Sequence, residues 1–366
     1  MKVLFVCSGN SKDFEIIPFI KEQGESLKGE GINVDYYPVV GKGLWGYIKA
    51  GVSLRKLLRK KQYDLIHAHF IYCGLAALIG AGRKMPVVLS LMGSDANGEY
   101  KGKNKVVLSS RISSFLTWFI QPFVKAIISK SNNIEASVYL KRKSFIIPNG
   151  VNMEKFKPQA LNNNPSTAAP DTLGQAGKTK VLFLASKTKS GKNFPLVQAA
   201  IEQLGRPDVE LVCPYPVNHE AVPQYLNEAD VLVFPSFMEG SPNVIKEAMA
   251  CNCPIVSTDV GDVSWVIGET KGCYIASFDP VDFAKKIEMA IHFSQANGRT
   301  KGRQRLIALG LEMETVAKRI MVVYKKSLGS RQFPVTSFRA RTSDSPIIGG
   351  HADTRDPGNR KPVPGN

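Results

Sequence analysis

Short apolar runs alternate along the chain with longer stretches in which apolar residues recur every third or fourth position. The runs at 3–7, 33–39, 64–68, 86–92 and 126–129 predict strands, and the stretches 14–28, 45–60 and 74–81 predict helices. After an interruption the pattern resumes, with strands at 181–185, 210–213, 230–235 and 254–257 and helices at 195–204, 242–250, 282–293 and 312–328. Strands that are apolar throughout, alternating with amphipathic helices, predict a parallel sheet covered on both faces. Two such series predict an α/β protein of two tandem doubly wound, Rossmann-like domains. Their ligand cleft should lie between the C-terminal ends of the strands.

The interruption reads PQALNNNPSTAAPDTLGQAGK and holds little that could enter a core. The expected organisation is a first domain over 1–157, a linker or loop over 158–179 and a second domain over 180–311. A C-terminal helix over 312–330 follows, which could pack back on the first domain. Residues 331–366, rich in Arg, Pro, Gly, Ser and Asp, read as a disordered tail.

A length of 366 residues suits two domains, and 43% hydrophobic with 22% charged residues excludes a wholly disordered chain. The net charge of +17 is uneven: residues 1–150 carry 22 Lys+Arg against 10 Asp+Glu, whereas 151–330 carry 20 against 18. Such a first half favours anionic partners, phosphates or an acidic membrane face. No nucleic-acid-binding motif is recognisable, so nucleic acid is not expected. Six scattered cysteines read as buried thiols in a reducing cytoplasm, and Cys251 and Cys253 lack the further ligands of a metal site. Residues 1–7 read as a strand rather than a signal peptide. The uncharged run 65–82 holds two histidines and three glycines and is a poor membrane span. The expected location is cytoplasmic, with peripheral attachment to the inner face of the membrane as an option.

The most informative stretch is 234–250. A buried strand gives way to a loop holding Glu239 and Gly240, then to Ser241 as a candidate N-cap and Pro242 at the first helical position. A helix N-terminus facing a cleft suits a phosphate. Glu247 lies about one and a half turns into that helix. There its carboxylate could accept hydrogen bonds from a vicinal diol, as on a ribose.

The Glu239–Glu247 spacing, with Glu-Gly-Ser-Pro, Glu-Ala-Met-Ala and the run Pro-Ile-Val-Ser-Thr-Asp-Val-Gly at 254–261, resembles family 4 of the retaining glycosyltransferases. The run Ile-Pro-Asn-Gly-Val-Asn at 147–152 resembles the family's interdomain junction. His-Ala-His at 67–69 resembles an H-x-H strand of the first domain, and Ser-Leu-Met-Gly-Ser-Asp at 90–95 an acceptor-side loop. The resemblance spans 1–328 and implies the GT-B fold, two domains facing across a cleft.

It also implies roles. Glu247 would hold the nucleotide ribose and Glu239 would sit beside the donor sugar as a catalytic residue. Gly240, Ser241, Pro242 and Asn243 would present backbone N–H groups to the diphosphate. Lys187 and Lys192 stand where the family places an Arg and a Lys to clamp it, with Lys192 also catalytic. His69 is a catalytic candidate. Gly9, Asn10, His67 and Asp95 are expected on the acceptor side or in its loops. The His that the family often carries at the position of Met92 is absent.

The implied reaction is retaining, hexosyltransferase-type transfer from a nucleotide diphosphate sugar to a hydroxyl of a glycan or lipid-linked acceptor. No D-x-D motif occurs, and the two lysines with the helix N-terminus could stabilise the leaving group, so neither metal nor cofactor is expected. A sugar-nucleotide epimerase on the same fold and an inactive nucleotide-sugar-binding protein are the alternatives.

Two further patterns complete the reading. Gly41, Gly43 and Gly46 form a literal G-x-G-x-x-G. It follows the second strand rather than the first, and Trp45 is bulky for a dinucleotide turn. A loop facing the acceptor is expected. Leu54, Leu57 and Leu58 share a helix face ringed by Arg55, Lys56, Arg59, Lys60 and Lys61. This is either a core-facing stripe beneath a solvated face or a site for docking on an anionic bilayer, which residues 100–105 and 115–124 could join.

Overall fold

The computed structural model describes residues 1–329 apart from 12, 13, 42, 83, 99, 101, 103–106, 108, 109 and 160–177. The expected tail, nearly all of the expected linker and most of loop 100–105 lie outside the described residues.

The first half runs β1 (Lys2–Ser8), α1 (Pro18–Gly29), β2 (Asn33–Val39), α2 (Gly43–Lys60), β3 (Leu65–His69), α3 (Ile71–Ala81), β4 (Val87–Leu91), α4 (Ser94–Asn97), α5 (Arg111–Ile120), β5 (Ala126–Ser129), α6 (Asn132–Glu135) and β6 (Ser144–Ile146). The second half runs β7 (Thr179–Leu182), α7 (Phe194–Leu204), β8 (Val209–Val212), α8 (Val222–Glu228), β9 (Val231–Phe234), α9 (Asn243–Ala250), β10 (Ile255–Thr258), α10 (Val263–Ile267), β11 (Cys273–Ala276), α11 (Pro280–Asn297) and α12 (Gly302–Leu309). A last helix, α13 (Met313–Ser327), follows.

The two sheets are parallel and share one winding plan. Their orders are β2-β1-β3-β4-β5-β6 and β11-β10-β9-β7-β8. In each half the second strand flanks the first on one side and the later strands extend from the other. The winding therefore reverses between β1 and β3, and again between β7 and β9. Loops leaving those strands are separated there and frame a crevice.

Both faces of each sheet are covered, and the strand period of two sorts the side chains. Leu4 and Val6 enter the core beneath α2, α3 and α5, whereas Val3, Phe5 and Cys7 enter the core shared with α1 and α13. Leu232 and Phe234 likewise face α9, while Val231 and Val233 face α7 and α11. The last helix thus packs on the first sheet, with Val316, Ile320 and Tyr324 fully buried there.

The chain crosses between halves twice, and the crossings are tied together. Val151 N donates to Leu311 O at 3.0 Å and Met313 N donates to Val151 O at 3.0 Å. A Cβ on Gly150 would lie 2.9 Å from Met313 Cα, so only glycine lets these segments approach.

Two expectations are corrected, and of the two readings of the α2 stripe the core-facing one holds. The helix expected from residue 14 begins at Pro18, whose fixed φ suits a first turn and whose missing N–H is no loss there. Ser241 does not cap α9: Pro242 occupies the cap position, and the Ser241 hydroxyl donates instead to Asp262 Oδ2 at 2.7 Å. The leucine stripe of α2 faces the core. Leu54 is fully buried, Leu57 and Leu58 pack against the same cluster, and Arg55 donates to the Ile79 carbonyl near the end of α3 at 2.7 and 3.1 Å.

Candidate active site

The crevice of the second sheet collects the strongest candidates. The loop after β7 carries Lys187 and Lys192, and the loop after β9 carries Glu239 and Gly240 into α9. Lys192 Nζ and Glu239 Oε1 form an ion pair of 2.5 Å, both groups partly shielded from water. Lys187 stays on the exposed turn, its ammonium 5.1 Å from the centre of the Phe194 ring.

The Glu239–Gly240 loop is gripped from the first half. Asn133 Nδ2 donates to Glu239 O at 3.1 Å. A Cβ on Gly240 would lie 2.5 Å from Met92 O, and one on Gly93 would lie 3.1 Å from Gly240 N. Asn149 Nδ2 donates to Asn243 Oδ1 at 3.0 Å. The first N–H groups of α9 have no partner within the helix, but Pro242 has no N–H at all, so it cannot contribute the donor expected of it. Ser241 is buried, and its hydroxyl also meets Lys246 Nζ at 2.7 Å.

Glu247 is buried to all but 8% of its surface, and His219 is its partner, Nε2 to Oε1 at 3.0 Å. The other ring nitrogen of His219 lies 2.9 Å from Lys155 Nζ. Lys155 also pairs with Glu220 at 2.8 Å and with Glu22 of α1 at 3.1 Å. A polar chain thus runs from a helix of the first half to the carboxylate expected to hold ribose. Burial alone would lower the His219 pKa, but the hydrogen bond and charge of Glu247 outweigh it and raise the value above its ordinary 6.5. A folded-state value raised above the unfolded one gives stability that is complete below about pH 6.5 and fades as pH rises through the raised value. The melting deficit of His219→Gln should therefore be larger at about pH 5.5 than at about pH 8.5. An equal deficit at both would show that the pair does not titrate with folding.

The first sheet revises the histidine expectations. His67 and His69 share a face, as their spacing requires, but it is the face covered by α1 and α13. His67 Nδ1 meets Tyr324 Oη at 2.6 Å and its Nε2 meets Ser90 Oγ at 2.8 Å. His69 is packed on Phe5 and His67, with Gln23 Nε2 at 3.3 Å from its Nε2 and no partner for Nδ1. Burial holds both rings well below their ordinary pKa, so they are neutral. Neither lines an open wall, and neither enters the catalytic set below.

Asp95 belongs to the loop expected of it and acts on the loop's own backbone. Its buried carboxylate accepts from Met92 N at 2.9 Å and Gly93 N at 2.8 Å, fixing the loop that meets Gly240. Burial pushes its pKa up to about 6, against the lowering effect of those amides. Asn10 bridges loops, exchanging hydrogen bonds with Gly41 N and O at 2.9 and 2.8 Å, while Gly9 N donates to Val39 O at 2.9 Å. The backbones of Gly41 and Gly46 touch, which explains two of the three glycines without a dinucleotide. An open groove of about 600 Å³, lined by Val40, Trp45 and Lys49 among others, lies beside them.

Lys130 and Lys246 were not legible as site residues. Lys246 is buried and paired with Asp262 at 2.9 Å. Lys130, just after β5, is buried with no hydrogen-bonding partner. Burial and the charge of Lys246 lower its pKa to about 7. The resulting penalty is complete below about pH 7 and is relieved as pH rises toward the ordinary lysine value of 10.5. Lys130→Met should therefore stabilise the fold by about 1–3 kcal/mol near neutrality, with less gain at alkaline pH. A lower melting temperature would mean that the amine has a partner in solution.

Among the described residues no group of three or more His, Cys, Asp or Glu side chains could hold a metal ion, and no helix is long and apolar enough to cross a membrane.

Comparison with known proteins agrees with this geometry. Residues 2–155 match the family described as Glycosyltransferase Family 4, and residues 179–292 match Glycosyl transferases group 1. The putative teichuronic acid biosynthesis glycosyltransferase TuaC of Bacillus subtilis is 27% identical over 281 residues, 68% of each chain. An Escherichia coli UDP-Gal:alpha-D-GlcNAc-diphosphoundecaprenol alpha-1,3-galactosyltransferase is 26% identical over 271 residues, 64% of this chain and 68% of that one. Among solved structures, sucrose-phosphate synthase from Thermosynechococcus elongatus superposes with a TM-score of 0.68 at 17% identity, covering 90% of this chain and 99% of that chain. Anabaena HepE, solved with UDP and glucose, gives 0.63 at 16% identity, covering 90% of this chain and all of that one. The paired sheets, the gripped Glu239–Gly240 loop and these matches agree: the chain belongs to the family 4 glycosyltransferases and has the GT-B fold.

Proposed function

We propose that the chain transfers a hexose, with retention, from a nucleotide diphosphate sugar to a hydroxyl of a glycan or lipid-linked acceptor. The observation that carries this reading is the Lys192–Glu239 pair, set beside the N-terminus of the helix that holds Glu247. Glu247 would receive the ribose hydroxyls, with His219 fixing its carboxylate. Lys187 and the free N–H groups of Gly240, Ser241 and Asn243 would meet the diphosphate. As the bond from the sugar to the diphosphate breaks, charge grows on the leaving oxygen, and Lys192 would stabilise it there. Glu239 would hold Lys192 and contact the donor sugar. Retention rests on the family resemblance.

The relatives support the choice of substrates: HepE was solved with UDP and glucose, and the E. coli relative is named for UDP-Gal and a diphosphoundecaprenol-linked sugar. The six unpaired cysteines, five of them buried, suit a reducing cytoplasm.

The test is a screen of nucleotide sugars by melting shift, followed by product analysis with and without acceptor hydroxyl compounds. One nucleotide sugar should raise the melting temperature and yield an α-linked product only when acceptor is present. A free epimer formed without acceptor would indicate the epimerase, and binding without turnover the inactive binding protein. Chelator should leave the rate unchanged; loss of activity restored by magnesium would overturn the metal-independent reading.

A further inference from the structure

Helix α5 carries its largest apolar side chains on the outside. Its buried positions are Ser113, Thr117 and Ile120, with Leu116 half-buried against the same core. Ser113 donates to Ser110 O at 2.6 Å and Thr117 donates to Asp95 O at 2.8 Å. Its outward positions are Ile112, Phe115, Trp118 and Phe119, continued by Phe123, each between 51 and 63% exposed. The rings form one continuous surface. Phe115 lies 6.5 Å from Trp118 and 6.4 Å from Phe119, Phe119 lies 5.5 Å from Phe123, and Trp118 lies 5.4 Å from Tyr139. A surface helix of a water-soluble protein normally has the opposite pattern, and a contiguous exposed apolar patch marks an interaction site.

Charge identifies the partner. From residue 100 to 153 the sequence holds nine Lys+Arg and one acidic residue, Glu135. That glutamate is occupied by Ser129, Ser144 and Lys141. Lys143 donates to the carbonyls of Pro122 and Val124 at 2.9 Å, and the Tyr139 and Leu140 amides donate to Gln121 Oε1. These bonds fasten the segment bearing Lys141 and Arg142 to the end of α5. Exposed Arg111, Lys125 and Arg142 therefore lie at or near the ends of the aromatic face.

We infer that the aromatic face of α5, with these cations, docks the protein on an anionic lipid bilayer. The rings enter the headgroup boundary, where aromatic side chains are favoured, and the cations meet lipid phosphates. This surface differs from the basic end of α2, whose leucines belong to the core.

The experiment uses the full chain with vesicles of phosphatidylcholine alone or containing about one-third phosphatidylglycerol, read by flotation and, in a Trp45→Phe/Trp265→Phe background that leaves Trp118 as the one fluorescent indole, by quenching with brominated acyl chains. The anionic vesicles should bind at least about tenfold more tightly than neutral ones, with Trp118 quenched. Phe115→Ser/Phe119→Ser/Phe123→Ser should lose binding by at least about tenfold with an unchanged melting temperature, since all three rings are exposed. Lys125→Gln/Arg142→Gln should weaken it roughly fivefold per cation. Lys56→Gln/Arg59→Gln/Lys60→Gln/Lys61→Gln on α2 should stay within about threefold of the parent. Equal binding of the triple variant, binding without quenching of Trp118, or no binding at all would overturn the inference. So would a dimer of the parent that the triple variant dissolves while vesicle binding persists, because the face would then be a contact between two copies.

Discussion

Lys192→Met should slow sugar transfer about a hundredfold or more while donor affinity falls only a few-fold, because a preorganised cation acts mainly on charge that develops during the reaction. The side chain is placed for this. Its amine is 2.5 Å from Glu239, on a turn that a left-handed Asn193 (φ 52°) closes at the start of α7. Asn193 Nδ2 in turn donates to Pro235 O at 3.2 Å, joining the two loops of the crevice. Methionine keeps the length and removes the charge. Single-turnover rates and calorimetric donor binding, measured on the same preparations, separate the two effects. Lys192→Arg should recover part of the rate. If methionine costs affinity and rate equally, Lys192 is a binding residue and the leaving-group role fails.

Glu247→Ala should weaken nucleotide binding by about 1.5–3 kcal/mol, roughly ten- to a hundredfold, as expected for hydrogen bonds to a charged group. His219 then loses its partner, so the variant also removes the stabilisation seen at acid pH. His219→Gln should have a smaller effect on affinity, because a glutamine amide can still donate to Glu247 while its link to Lys155 changes. Titration with the nucleoside diphosphate alone checks this without any acceptor. Equal affinity of Glu247→Ala and parent would remove the ribose role.

The place of Glu247 follows from sequence-local rules, whereas Lys192 is singled out only by the family resemblance. A strand, a loop and a helix start follow one another within 17 residues, from 234 to 250, and the helix fixes where Glu247 falls. His219 was not legible. It sits in a segment of irregular structure between β8 and α8, and only the fold brings it to Glu247. Lys130 follows a strand that was correctly placed, but its burial and its nearness in charge to Lys246, 116 residues further on, arise only in the folded chain. The histidines of β3 were misread for a different reason. Period two correctly put His67 and His69 on one face, yet which face meets a helix depends on α13, far along the chain. The strands β6 and β11 were missed because runs of three and four residues carry little periodicity. Ser241 looked like a cap by composition, but the neighbouring Asp262 and Lys246 compete for its hydroxyl.

The packing of α13 on the first sheet bears on how the protein is made. Tyr324 meets His67 across 257 residues of sequence. Val3, Phe5 and Ile128 are synthesised early, whereas the helix that completes their cover is made last. A growing chain with its first half already translated therefore exposes apolar surface until the second half has followed. Contacts of such long range form slowly and leave intermediates open to aggregation. Expression of the first half alone should give insoluble material unless residues 313–327 are supplied, and nascent chains should engage chaperones until that helix docks.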